Sequence, residues 1–395
     1  MKAGEPGKVV KFIRDTNWRY VCLGLLCASV VANNMNYDSA TPLALPFQKS
    51  LGLSATQFSS LYSAYTAPNI ILPLLFGYVI DKFGASKSLI VVESLVLLGS
   101  IVFYRGVITK SYPTLLIGRI IFGLGGESVK TCTSTLEAVW FLGKEVTLAM
   151  SIDYSASNTA AFANDSIEPA LYRRSGSIPE TLIMSLVVAS FSLITSLFVM
   201  WLDQARVNEE KRYGVRNEAR NGYEPTAIKR FPYKYWMVLF GCTLILSSID
   251  CFNNITSEFL QNRLGFSLQA AGTLTGTLPL ICGMCVPFMG KLFSNSPYRV
   301  RYALCSAFCM FLSYGWLIYE SSSMKEGVFL IICLGIFNAI VFSCLWPLIP
   351  LIITNTYLGV AYGCIISVQN ALSTMVQLVI GTIIDHSPTR IHGYY

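Results

Sequence analysis

Phe47-Gln48-Lys49-Ser50-Leu51-Gly52-Leu53-Ser54 returns 213 positions later as Leu260-Gln261-Asn262-Arg263-Leu264-Gly265-Phe266-Ser267, each copy standing between two long apolar segments. An internal repeat in a strongly apolar chain marks a duplicated bundle, two similar groups of helices enclosing a path between them. The offset reaches beyond the repeat. Gly77 falls on Gly290, Tyr37 on Asp250 and Asp81 on Ser294, so the copies are alike without being equivalent.

The chain has 395 residues, 53% of them hydrophobic and 13% charged, whereas a soluble domain carries about 25% charged residues. It therefore belongs in a bilayer. One crossing takes roughly 20 apolar residues, and such runs fall near 19–36, 57–80, 87–107, 113–140, 145–168, 180–202, 234–256, 268–293, 299–319, 327–352 and 358–384. The expected fold is an all-α integral membrane protein of two pseudo-repeated halves with about eleven transmembrane helices. A bundle of six plus six would need a twelfth that this sequence does not contain. The expected organisation is an N-terminal segment 1–18, a six-helix half 19–202, a polar linker 203–232 and a five-helix half 233–395. The basic start runs into a full-length span with no small-residue cleavage site, which reads as a retained first helix.

Lys and Arg set the orientation. With the N-terminus in the cytoplasm, cytoplasmic segments hold nineteen of the 29 basic residues and the opposite side eight, while Arg119 and Lys130 fall inside a span. The net charge of +7 is thus a matter of topology, and nucleic acid is excluded as a partner. The twelve cysteines are scattered without a CxxC pair, and both histidines, His386 and His392, lie beyond the last span. Neither a disulfide framework nor a metal site is expected. No GxxxxGK[ST] phosphate loop occurs, and no nucleophile stands beside a base, so neither an ATP-driven pump nor an enzyme is expected and no cofactor is implied. Asn164-Asp165-Ser166 and Asn254-Ile255-Thr256 match the glycosylation pattern but lie close to helix ends.

Gly77-Tyr78-Val79-Ile80-Asp81-Lys82-Phe83-Gly84-Ala85-Ser86-Lys87 resembles the signature between helices 2 and 3 of the major facilitator superfamily, and Arg119-Ile120-Ile121-Phe122-Gly123 resembles its helix 4 motif. Tyr37-Asp38, Tyr65-Thr66-Ala67-Pro68-Asn69, Gly125-Gly126-Glu127-Ser128, Trp140 through Glu145, Leu345-Trp346-Pro347, Gly359 through Gly363 and Ser367-Val368-Gln369-Asn370 are similar to the major facilitator superfamily domain-containing protein 1 group. That resemblance implies a lysosomal carrier of dipeptides working with a single-pass glycoprotein accessory subunit. Two features depart from the group. Asn158 stands where the group has an arginine for the peptide carboxylate, and residues 1–18 lack its dileucine sorting signal.

An ionisable group at mid-membrane costs about 2.5–3.5 kcal/mol on insertion scales, so it faces a cavity or a partner. Glu127 is the leading case, placed to receive a substrate ammonium beside close-packing glycines. Lys130, one turn on, either pairs with Glu127 or replaces the missing arginine as receptor for a carboxylate. Tyr65, Asn158, Asp250, Trp346 and Asn370 complete the substrate candidates, with Tyr62, Asp153 and Gln369 behind them. Asp81, with Gly77 and Lys82, reads as a gate: its carboxylate is placed to accept from the free N–H groups that open the eleventh span near Gly359. Arg119 is a further gating candidate, and Asp38 is assigned to gating at the opposite end, where Asn33, Asn34, Asn36 and Tyr37 in one half answer Asp250, Asn253, Asn254 and Glu258 in the other. Glu137 and Lys144, near the cytoplasmic end of the fourth span, read either as a pair that closes that side or as a solvated pair. The expected function is a secondary carrier moving dipeptides or amino acids across an endomembrane or plasma membrane by alternating access. The alternative is a receptor-like or sensor member of the same fold that does not transport.

Overall fold

Each copy of the repeat is a helix stop followed at once by a helix start. Gly52 (φ +67°) and Gly265 (φ +69°) end their helices in the left-handed conformation, which glycine adopts without steric cost. Two residues later Ser54 and Ser267 each accept a backbone N–H as N-cap, and Ser54 closes a capping box with Gln57, which satisfies donors that the first turn leaves free.

This computed structural model describes residues 13–141, 145–213, 227–319 and 324–386, helical nearly throughout and without a strand among them. The elements are α1 (Trp18–Asp38), α2 (Ala44–Leu51), α3 (Ala55–Thr66), α4 (Leu72–Phe83), α5 (Ala85–Ile108), α6 (Tyr112–Trp140), α7 (Val146–Ser175) and α8 (Ile178–Arg212). They continue with α9 (Tyr233–Leu264), α10 (Leu268–Phe293), α11 (Arg299–Tyr319), α12 (Met324–Leu345), α13 (Ile349–Ile352) and α14 (Leu358–His386). The starts of α1, α3, α5, α6 and α7 (18, 55, 85, 112, 146) are answered by those of α9, α10, α11, α12 and α14 (233, 268, 299, 324, 358), at offsets of 212 to 215. The duplication read from eight residues thus governs the whole helix order.

Prolines account for where the copies differ. Pro42 and Pro46 interrupt the chain after α1, whereas their counterparts Ile255 and Phe259 let α9 run unbroken for 32 residues. Pro68 and Pro73 lie at the break between α3 and α4, which are bent by 50°, because proline supplies no N–H and crowds the preceding turn.

Seven described helical segments are long and apolar enough to cross a membrane, and α3 with α4 makes an eighth. The remaining three of the eleven expected spans, α1, α6 and α7, are long enough but too polar for that test. They are the helices that carry Asn33, Asn34, Glu127, Lys130, Glu137 and Asp153 into the interior. Helix α8 continues to Arg212, ten residues into the expected linker. There Arg206 pairs with Asp203 and Glu210 while Ser86 and Trp140 donate to Asp203. Within that linker, residues 214–226 lie outside the described residues, as do Lys144 and His392. Neither glycosylation match sits at a helix end: Asn164 is fully buried within α7, and Asn254 lies within α9.

The two halves meet along two symmetric seams, α4 against α14 and α10 against α7. A Cβ on Gly77 would collide with the Gly359 carbonyl, and one on Gly290 would collide with Ser151. Positions 77 and 290 are one repeat apart, so the same close approach is built twice.

Candidate functional site

Between the halves lies a hollow of about 780 Å³, within the range of small-molecule sites. Its walls reach from Asp38, Asn253 and Gln377, toward the end away from the linker, down to Glu137, Met150 and Trp346. At that floor the halves touch. Trp346 Nε1 donates to Ser134 Oγ at 3.2 Å, the Tyr362 hydroxyl meets Met150 Sδ at 3.6 Å, and Ser151 Oγ lies 3.5 Å from Ser343 Oγ. Lower still, Asp81 accepts from the backbone N–H of Gly359 at 2.7 Å and of Val360 at 2.9 Å. These are the second and third residues of α14, whose N–H groups have no partner within their own helix and carry the positive end of its dipole. The hollow is therefore sealed toward the linker side.

The polar stripe of α6 runs Glu127, Lys130, Ser134 and Glu137, a spacing of three, four and three that keeps all four on one helical face, and all four line the hollow. Glu127 accepts from the Tyr65 hydroxyl at 3.1 Å. Gly126 leaves room for that phenol, since a Cβ there would press on the Tyr65 hydroxyl, and the Tyr65 ring is held between Tyr37 and Phe122. Lys130 does not pair with Glu127: no ion pair joins them among the described residues. Its ammonium lies 5.0 Å from the Trp346 ring centre and 5.9 Å from that of Tyr154, within cation–π range. Tyr154 stacks on Phe342 across the two halves at 3.6 Å.

From the second half, Asp250 accepts from Gln369 Nε2 at 2.8 Å, and Asn370 donates to the Asn69 carbonyl at 3.1 Å. Glu127, Lys130, Tyr65, Asp250, Trp346 and Asn370 thus line one space. Asn158 does not belong to that wall. Its amide donates to the Tyr154 carbonyl of its own helix, and its Cβ packs where α7 crosses Gly283 of α10. Asp153, little more than a turn earlier on α7, faces the hollow instead.

The gating candidates separate in the same way. Asp81 and Gly77 sit in the linker-side seam. Lys82 is exposed, its ammonium over the Phe83 ring. Arg119 is buried inside the first half, where it donates to the Tyr37 carbonyl at 3.0 Å and lies against the Phe103 and Tyr62 rings. Asp38 lines the hollow toward its far end, as do Asn33, Asn34, Tyr37, Asn253 and Asn254, whereas Asn36 turns back to the Ala32 carbonyl and the Glu258 side chain lies outside the described residues. Glu137, read from its position near a helix end as closing that side or as solvated, is 1% exposed and forms part of the floor. Its place ten residues after Glu127, on the same helical face, was the available signal. Tyr154 and Phe342, the aromatic wall, carried no signal beyond ordinary apolar packing.

The family model described as Major Facilitator Superfamily matches residues 26–377. The chain is similar to the lysosomal dipeptide transporter MFSD1 of Bos taurus, 26% identical over 378 residues that cover 93% of this chain and 80% of the relative. It is likewise 26% identical to MFSD1 of Danio rerio, over 95% of this chain and 82% of the relative. Among solved structures it matches the human organic anion transporter MFSD10 at 12% identity with a TM-score of 0.70, covering 95% of each chain. It also matches the proton:xylose symporter XylE at 14% identity with a TM-score of 0.72, over 96% of this chain and 92% of the other.

Proposed function

This chain belongs to the Major Facilitator Superfamily, a family of membrane transporters and not of enzymes, and from that premise we propose that it carries dipeptides or amino acids by alternating access. One observation carries the reading. Glu127 and Lys130 reach the same hollow from one face of α6 without pairing with each other. Unpaired charges of opposite sign, three residues or about 4.5 Å apart along the axis, match a zwitterion: the ammonium goes to Glu127 and the carboxylate to Lys130. The similarity to proteins named lysosomal dipeptide transporters supports the same solute class.

Counterflow of labelled dipeptides and amino acids in proteoliposomes tests it. Charge-assisted hydrogen bonds contribute about 1.5–3 kcal/mol each, so Glu127→Gln and Lys130→Met are each expected to weaken transport roughly 10- to 100-fold. Undiminished transport in both variants overturns the assignment, and binding without exchange in the wild type marks a receptor instead of a carrier. The resemblance to the dipeptide-carrier group extends the proposal to a lysosomal or other endomembrane address and to a single-pass glycoprotein accessory subunit. Imaging and affinity purification of the tagged full chain check both.

A further inference from the structure

A second, much smaller cavity lies off the hollow, inside the first half toward the end away from the linker. It holds about 20 Å³ and is walled by α1, α5, α6 and α8, room for about one water-sized particle. Arg119 of α6 lines it. This guanidinium is 3% exposed, and no ion pair joins it to a carboxylate among the described residues. Its Nη1 donates to the Tyr37 carbonyl at 3.0 Å, but Nε and Nη2 have no hydrogen-bond partner. Those two nitrogens share one edge of the guanidinium, the fork that receives an anion through two parallel hydrogen bonds. The Phe103 ring, 4.6 Å away, and the Tyr62 ring, 4.9 Å away, cover its faces. Ring faces attract a cation but satisfy none of its in-plane N–H groups.

The rest of the wall completes a donor set. Ser185 of α8 lines the same cavity, is 8% exposed, and its hydroxyl likewise has no partner. The other donors there are spent: Asn36 on the Ala32 carbonyl, Ser39 on the Asn36 carbonyl and Ser100 on the Val96 carbonyl. No acid lines the cavity. Its walls are also fixed, since a Cβ on Gly99 would collide with the Phe122 backbone and one on Gly118 with that of Phe103. A buried cation without a counter-ion is costly, and three orphan donors around one rigid, acid-free space match an anion.

We propose that this cavity binds one halide ion, chloride in the cell, on Arg119 Nε and Nη2 and the Ser185 hydroxyl. Room for a single water-sized particle selects a monatomic ion over sulfate, phosphate or a carboxylate. The bound ion neutralises Arg119 and fixes the guanidinium that holds the end of α1 at Tyr37. The Tyr37 ring lies 4.6 Å from that of Tyr65, whose hydroxyl donates to Glu127. Halide binding therefore steadies the wall that receives the solute. This consequence for transport rests on the carrier reading, whereas the halide site does not.

Melting of the purified full chain in chloride and in gluconate at equal ionic strength tests the site. Chloride and bromide should raise the melting temperature in a saturable way, and sulfate and gluconate should not. Ser185→Ala removes one neutral donor and should raise the half-saturating chloride concentration roughly 3- to 10-fold. Arg119→Gln, if it folds, should lose the chloride effect. Lys130→Met should retain it, which separates this cavity from the lysine of the hollow. Crystals grown in bromide should show an anomalous peak beside Arg119. The proposal is overturned if chloride and gluconate give the same melting temperature, if Ser185→Ala leaves the midpoint unmoved, or if Lys130→Met abolishes the shift. In proteoliposomes, replacing chloride by gluconate should raise the half-saturating concentration of labelled dialanine. Loss of dialanine exchange in both salts counts against the solute assignment, and the melting result still decides the halide site.

Discussion

Asp81 spends both carboxylate oxygens on the backbone of the opposite half, so the latch depends on a charge meeting two orphan donors and on no side chain of α14. Its chemistry was legible as an acid at the end of a span opposite a glycine-opened helix. Replacing it by Asn keeps the shape, removes the charge and puts an amide NH2 donor where one acceptor stood. At about 1.5–3 kcal/mol for such bonds, Asp81→Asn is expected to shift the population away from the linker-closed state by roughly 10- to 100-fold. The buried thiol of Cys364 on α14 reports the change, and peptide-resolved alkylation should speed up in the variant. An unchanged rate would sink the latch. Asn158 was the misleading residue. Sequence similarity pointed to position 158, but the rotation of α7 that turns it to Gly283 and turns Asp153 to the hollow is set by packing on α10. Glu137 left two readings open, closing its end or solvated, because position along a helix does not reveal that another half of the molecule covers its end.

The helices carry most of what sequence reading can reach. Every expected span has a helix at its place, since an apolar run of membrane length bounded by turn residues has few alternatives. What periodicity understated was the polar character of α1, α6 and α7, and their shortage of apolarity is itself the sign that they line the path. The turn between α9 and α10 offers a check at this scale. Gly265 is left-handed at φ +69° with open space around it, so a Cβ meets no neighbour and acts through the backbone alone. Gly265→Ala is expected to cost about 1–2 kcal/mol, seen as a lowered melting temperature in detergent with solute binding retained. A neutral effect would show that the cap does not depend on glycine.

For the whole molecule the decisive geometry is the double seam, in which α4 on α14 and α10 on α7 close one end of the hollow while the other stays open. Alternating access requires these seams to part. Ser151 on α7 and Ser343 on α12 face each other across the halves with hydroxyl oxygens 3.5 Å apart, so the pair Ser151→Cys and Ser343→Cys, introduced with the twelve native cysteines replaced, should crosslink on oxidation. Oxidised protein is expected to bind solute but lose exchange, with recovery on reduction. Exchange that persists in the crosslinked protein would rule out parting at this seam. Local order in the chain already determined the duplication, the places of the apolar helices, and which helix bears buried charge, because helix formation and membrane insertion depend on neighbouring residues. Folding in three dimensions alone decided that Lys130 rests on aromatic rings instead of on Glu127, that Asp153 and not Asn158 faces the path, and that Glu137 is covered. Each of those outcomes depends on helix rotation and on contacts between residues often a hundred or more positions apart, which no spacing along the chain encodes.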